Sequence, residues 1–204
     1  IDLSLFFQEH VAADEDFILS VGALKYRKGY HVSIPAFALV RRKFPGLRYK
    51  IVGDKSDAAY FCRLKDIAET CGVLNAVEFL DGISDEELRS LYQRARLFIL
   101  TSVNVRYSFE GFGLVFLEAA AAGLPVVGTY GNGIEDAVQN GYNGILVAQG
   151  DASGAAGAIT TILKDTEKWR TMSKNSHKWA GEHSLGKMIE EYSALYEKVV
   201  YPIQ

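Results

Sequence analysis

Two carboxylates, Glu110 and Glu118, open and close the stretch EGFGLVFLE. They lie about two helical turns apart, with the turn Gly111-Phe112-Gly113 between them and the helix-forming run LEAAAAG at the end. One acid therefore stands at the mouth of a helix and the other inside it. That layout suits a polar ligand, because carboxylates accept hydrogen bonds from hydroxyls and the amides that open a helix attract an anion. Residues 97–102 (LFILTS) read as a buried strand, 104–109 as its loop and 112–122 as a helix stopped by Gly123 and Pro125. The pair is thus expected at the carboxyl end of a strand, where open α/β sheets bind ligands.

Two more strand-like runs end in glycine. Val21-Gly22-Ala23 leads through LKYRK to Gly29, and Val52-Gly53-Asp54 follows the second run. Glycine after a strand lets the backbone approach a ligand closely, although it also serves a tight turn for steric reasons alone. Three such turns on one sheet edge favour a crevice for a nucleotide or phosphosugar. Neither the dinucleotide pattern GxGxxG nor a phosphate-binding GK[ST] is present, since Gly111-Phe112-Gly113 is followed by Phe116 and Gly186-Lys187 by Met188. Asp14-Glu15-Asp16 has the Asp-x-Asp spacing that can hold a divalent metal. It precedes the first strand, at the edge opposite the crevice, and reads as a solvated charge run. His10, His31, His177 and His183 show no metal-ligand spacing, so no metal site is expected.

The elements that must position these residues alternate along the chain. Apolar runs at 17–21, 49–52, 77–80, 97–100, 125–128 and 144–147 are separated by helical stretches, which implies βα units and a parallel sheet covered on both faces, a Rossmann-like doubly wound α/β domain. Val32, Ala36, Leu39 and Val40 keep helical spacing around Pro35, so that helix is expected to start late or kink. Helices are expected at 57–72 and 84–95, the latter opened by a serine cap and early acids. After residue 147 the chain is expected to be helical throughout, at 151–164, 167–183 and 185–199.

With 204 residues, 49% of them hydrophobic, the chain can bury one core, and no linker or repeat divides it; residues 1–204 are read as a single domain. A net charge of −3 with 22 scattered basic residues leaves no footprint for nucleic acid. Arg41-Arg42-Lys43, at a helix end, complements the helix dipole. Cys62 and Cys71 read as reduced thiols on one helix, and no apolar run approaches a membrane span, so a cytoplasmic setting is expected. The opening Ile1-Asp2-Leu3, without an initiating Met, is read as the start of a fragment of something longer.

FILSVGALKYRKG, YKIVGD, VEFLDGISDEELRSLYQRARLFILTS, EGFGLVFLEAAAAGLPVVGT and GIEDAVQNGYNGILV, in this order, resemble the C-terminal, donor-binding domain of GT-B fold retaining glycosyltransferases, the family that includes bacterial glycogen synthases and mannosyltransferases. The Glu-x7-Glu spacing is the most specific of these features, and the resemblance covers nearly the whole chain. It implies transfer of a hexosyl unit from a nucleoside diphosphate sugar, without metal or other cofactor. The acceptor, a glycan, lipid or small molecule, would be held by an N-terminal domain absent from this chain, through which peripheral membrane contact stays open. IDLSLF resembles the end of the interdomain linker, and the last helix the one that crosses back to that domain.

The resemblance also implies roles. Glu118 matches the acid that accepts both ribose hydroxyls, and Glu110 the acid beside the transferred sugar. Gly22, Gly111, Phe112, Gly113 and Leu114 match backbone positions that line the donor, and Lys28 the lysine that neutralises the diphosphate. The base is expected to be read by backbone near 79–83. This chain departs from the family in carrying Ala23 where an arginine usually completes the diphosphate clamp with the lysine. Arg27 or Lys25 could stand in; otherwise the chain is a sugar-nucleotide-binding module without transfer activity, for which Ala23 is the best argument. A nucleotide-sugar epimerase is a third reading, disfavoured by the lack of a further acid-base histidine among these motifs.

Overall fold

A computed structural model describes residues 3–7 and 16–200, and the apolar runs become strands β1 (Phe17–Val21), β2 (Arg48–Val52), β3 (Val77–Leu80), β4 (Leu97–Ile99), β5 (Val126–Thr129) and β6 (Gly144–Val147). Neighbouring strands are parallel in the order β3-β2-β1-β4-β5-β6. Every residue of β1, β4 and β5 is buried, as a parallel sheet covered on both faces requires. Strand order reverses between β1 and β4, which pair at Ile18–Leu97 and Leu19–Phe98. That reversal is a topological switch point, and it opens a crevice at the carboxyl ends of these two strands.

The helices are α1 (Tyr30–Arg41), α2 (Ala58–Thr70), α3 (Asp85–Arg94), α4 (Leu114–Ala121), α5 (Ile134–Ala137), α6 (Ala152–Lys164), α7 (Thr166–Glu182) and α8 (Leu185–Val200). α1 packs against α2 and α6, and α4 against α7 and the 3-10 turn Leu3–Leu5. Side-chain caps start several of them: Asp57 accepts from Tyr60 N, Asp151 from Gly154 N and Asp165 from Lys168 N, while Ser84 and Glu87 form a capping box. Each cap stabilises its helix by about 1 kcal/mol.

Two expectations are adjusted, for α1 and α4. α1 begins at Tyr30 and carries Pro35 inside it. The ring forfeits one backbone hydrogen bond, and burial of Ile34, Ala36 and Phe37 on the same helix offsets that loss. α4 begins at Leu114 rather than at residue 112, because Gly113 adopts φ 79°, a left-handed conformation outside the helix. α8 buries none of its residues, and Met188, Ile189, Tyr192, Leu195 and Tyr196 all stand exposed along it. The short α5 and the 3-10 turn Tyr26–Lys28 have no counterpart among the expected elements.

Asp14 and Glu15 of the acidic run, and His10, lie outside the described residues. Asp16 is described: its carboxylate pairs with Arg96 at 2.9 Å and its carbonyl accepts from Arg48 N, next to the amino end of β1 and away from the crevice. Cys62 and Cys71 are free thiols, the second just beyond the end of α2. No described helix is long and apolar enough to cross a membrane.

Candidate functional site

The loop after β1 and the long loop after β4 meet across the switch point. Lys28, at the end of its 3-10 turn, donates from Nζ to Glu110 Oε2 at 2.7 Å, and the Arg27 guanidinium reaches the same oxygen at 3.0 Å. The Ser102 hydroxyl lies 3.4 Å from it. Glu110 is buried to 8% exposure, and its other oxygen, Oε1, has no donor among the described residues. A buried carboxylate needs such compensation, since desolvation opposes an isolated charge.

The backbone under these side chains is tied down. Val103 N–H donates to the Arg27 carbonyl at 2.8 Å, and the Thr101 hydroxyl to the Gly29 carbonyl at 2.7 Å. Tyr26 stacks on the His31 ring at 4.2 Å, the Arg63 guanidinium lies 5.5 Å from the Tyr26 ring centre, and His31 Nδ1 is 2.9 Å from the Tyr60 hydroxyl. Burial, helped by Arg63, lowers the His31 pKa, so this brace favours a neutral imidazole. On the opposite side, Gly133 N–H donates to the Glu110 carbonyl at 2.9 Å, so the β5 loop holds the acid's backbone.

Gly111, Phe112, Gly113 and Leu114 then turn into α4. None of their amides donates to another described residue. The position a Cβ would take at Gly111 has nothing within 4 Å. Free amides, an approachable backbone and the positive end of a helix dipole together make an anion cradle beside the Arg27 and Lys28 cations. The Phe112 and Leu114 side chains point elsewhere, into a cavity of about 410 Å³ shared with Leu185 and Met188 of α8.

Glu118 sits inside α4, and its carboxylate has a single partner among the described residues, the Tyr92 hydroxyl of α3, which donates to Oε2 at 2.9 Å. Burial raises the Glu118 pKa, and the Tyr92 hydrogen bond only partly offsets this. Tyr92 is itself fully buried and packs on Phe98 and Phe6.

Sequence reasoning located Glu110, Glu118 and the Gly111–Leu114 turn but not their partners. Lys28, expected to await a ligand phosphate, already has a counter-charge in Glu110. Glu118, expected to offer a whole carboxylate, has committed one oxygen to Tyr92. Gly22 adjoins the site, and its carbonyl accepts from Tyr30 Oη at 2.6 Å. The Gly53 turn has a packing reason: a Cβ there would lie 2.0 Å from the Gly22 carbonyl oxygen, so the β1 and β2 turns touch. Near 79–83, the Phe79 carbonyl accepts from Lys55 Nζ at 3.0 Å. No group of three or more His, Cys, Asp or Glu side chains among the described residues could hold a metal.

A family model described as "Glycosyl transferases group 1" matches residues 3–179. A glycogen synthase of Mycobacterium tuberculosis is 38% identical over 148 residues, 72% of this chain and 34% of its own. A D-inositol 3-phosphate glycosyltransferase of Corynebacterium urealyticum is 34% identical over 184 residues, 88% of this chain and 42% of its own. The chain thus spans less than half the length of these relatives. Among solved structures, a sucrose-phosphate synthase from Thermosynechococcus elongatus superposes with a TM-score of 0.82 at 28% identity, covering 98% of this chain and 51% of that one. The Anabaena protein HepE, solved with UDP and glucose, gives 0.82 at 25% identity over 98% of this chain and 55% of its own. These structures share the GT-B architecture, of which this α/β sheet is one half.

Proposed function

The chain belongs to the glycosyl transferases group 1 family, and on that premise we propose that it is the donor-binding domain of a retaining, metal-independent glycosyltransferase. The whole enzyme would move a hexosyl unit from a nucleoside diphosphate sugar to an acceptor held by a second domain. The observation that carries this reading is the anion cradle: the free amides of residues 111–114 beside the Lys28–Glu110 pair at the switch point. HepE, with UDP and glucose bound, supplies the ligand class by similarity.

In this reading the amides of Gly111, Phe112, Gly113 and Leu114 receive the diphosphate and the sugar, and Gly22 lines the approach. Lys28 neutralises charge that develops on the leaving diphosphate, which is why no metal is needed. Glu110 Oε1, free of donors among the described residues, accepts a hydroxyl of the sugar and places negative charge beside the anomeric carbon, where an oxocarbenium-like transition state is positive. Glu118 accepts from the ribose through Oε1 and the remaining lone pair of Oε2.

Thermal melts of the chain with UDP-, GDP- and ADP-sugars test the reading. A donor at about 100 times its dissociation constant adds about 2.7 kcal/mol of stability. No shift with any of the three would overturn it. Binding without transfer by the full-length protein would instead favour the catalytically degenerate module, for which Ala23 speaks.

A further inference from the structure

Arg27 and Lys28 both donate to one oxygen of Glu110, at 3.0 and 2.7 Å. Two cations on one carboxylate leave a surplus positive charge, and no other carboxylate among the described residues pairs with either. The two cations differ in freedom. The Lys28 side chain is 10% exposed and that of Arg27 is 31% exposed. A guanidinium also carries five N–H donors in a fixed fork, and Glu110 engages one nitrogen of Arg27, so the others can take a phosphate oxygen bidentately. Lys25, the other candidate for a second cation, is exposed and makes no ion pair with Glu110.

We propose that Arg27 is the exchangeable cation of this site: it rests on Glu110 in the free protein and shifts its guanidinium to the donor's diphosphate on binding, while Lys28 keeps its bond to the carboxylate and offers its remaining N–H donors to the same diphosphate. The inference rests on the donor-binding reading above. Three features support it. The Arg27 backbone is pinned by Val103 and the Tyr26–His31 stack, so only its side chain need move. The orphan amides of residues 111–114, next in the chain to Glu110, offer donors to an anion within the same crevice. The surplus charge is relieved when a doubly charged phosphate enters. Arrival of the diphosphate then draws one cation away from Glu110, and the acid gains effective negative charge where positive charge develops on the sugar. Arg27 thereby supplies the second cation that Ala23 does not.

Calorimetric titration of UDP, GDP and ADP, with uridine, guanosine and adenosine as phosphate-free controls, tests this on the wild-type chain and on Arg27→Gln, Arg27→Lys and Lys25→Gln. For whichever nucleotide binds, Arg27→Gln is expected to weaken the diphosphate about 10- to 100-fold and leave the nucleoside unchanged, as loss of a charge-assisted contact implies. Arg27→Lys should restore part of the loss, and Lys25→Gln should match the wild type. Diphosphate affinity that survives Arg27→Gln, or a loss shared equally with the nucleoside, overturns the inference alone. A wild-type chain that binds none of the three diphosphates overturns the functional reading and the inference with it.

Discussion

Glu110 and Glu118 belong to one motif and one helix entrance, yet their surroundings are opposite. Glu110 is held by two cations and a hydroxyl, and Glu118 by one neutral tyrosine hydroxyl within a shell that raises its pKa. The first environment suits a carboxylate that meets developing charge through ion pairs, the second one that exchanges hydrogen bonds with neutral hydroxyls. Chemistry here is divided by solvation rather than by residue type, which substitutions at each acid can break or sharpen.

The largest effect is expected at Glu110. Replacing it with Gln leaves Lys28 and Arg27 facing each other without a counter-charge, and breaking a buried pair costs about 3–5 kcal/mol; the exposure of Arg27 pulls the figure toward the lower end. Turnover in the full-length enzyme should fall about 100- to 1,000-fold, as when one preorganised electrostatic contact to the transition state is removed. Affinity for UDP or GDP alone should not weaken, because the released cations remain for the phosphates. Steady-state rates beside calorimetry decide it: a large loss of nucleotide affinity with turnover intact would mean that the two acids have been given each other's roles.

Next in size is Lys28→Met. It is expected to weaken nucleoside diphosphate binding by about 1.5–3 kcal/mol, while EDTA leaves wild-type binding unchanged. Binding that collapses with EDTA and survives the substitution would replace the lysine by a metal.

The contrast between the two acids was only half legible in the sequence. The starts of the strands were readable to within a residue or so because β1, β4 and β5 are buried on both faces and read as short apolar runs, although β4 ends at Ile99, short of the residue 102 expected from LFILTS. The Glu-x7-Glu spacing and its glycine turn were local, and so were readable. What surrounds each acid was not: Arg27 and Glu110 are 83 positions apart and Tyr92 and Glu118 are 26 apart. Neither pairing leaves a periodic trace, and within LKYRK nothing local separates Arg27 from Lys25 as the cation that could stand in for Ala23. The packing reason for Gly53 was equally hidden, since it depends on the turn after β1 lying against the turn after β2.

A smaller effect is expected from Tyr92→Phe. The hydroxyl is the one donor to the Glu118 carboxylate among the described residues and holds down a pKa that burial raises. Removing it should lift that pKa further and cost about 1 kcal/mol of stability at neutral pH. Carbon-13 NMR titration of the Glu118 carboxyl would register the direction; an unmoved midpoint would show that water already shares this hydrogen bond.

The smallest change in stability, and the one with a distinctive sign, is expected from Glu118→Gln. A carboxyl whose folded pKa lies above its ordinary value of 4.5 takes up protons more readily in the folded state. Its stabilising contribution is therefore full below the unfolded pKa and is lost as pH rises through the raised folded pKa. Above the raised pKa the wild type keeps a charge that burial disfavours, so there the neutral amide should melt at a higher temperature than the wild type. That advantage should shrink as pH falls through the raised pKa toward the unfolded one, where the wild-type carboxyl is itself neutral. The same substitution should weaken UDP or GDP and the bare nucleoside alike, since ribose is common to all and an amide cannot accept through both of its polar atoms. Melting curves across this pH range, paired with nucleoside titrations, read both effects: a variant less stable above the raised pKa, or one that loses the diphosphate but not the nucleoside, would place Glu118 with the phosphates and erase the distinction between the two acids.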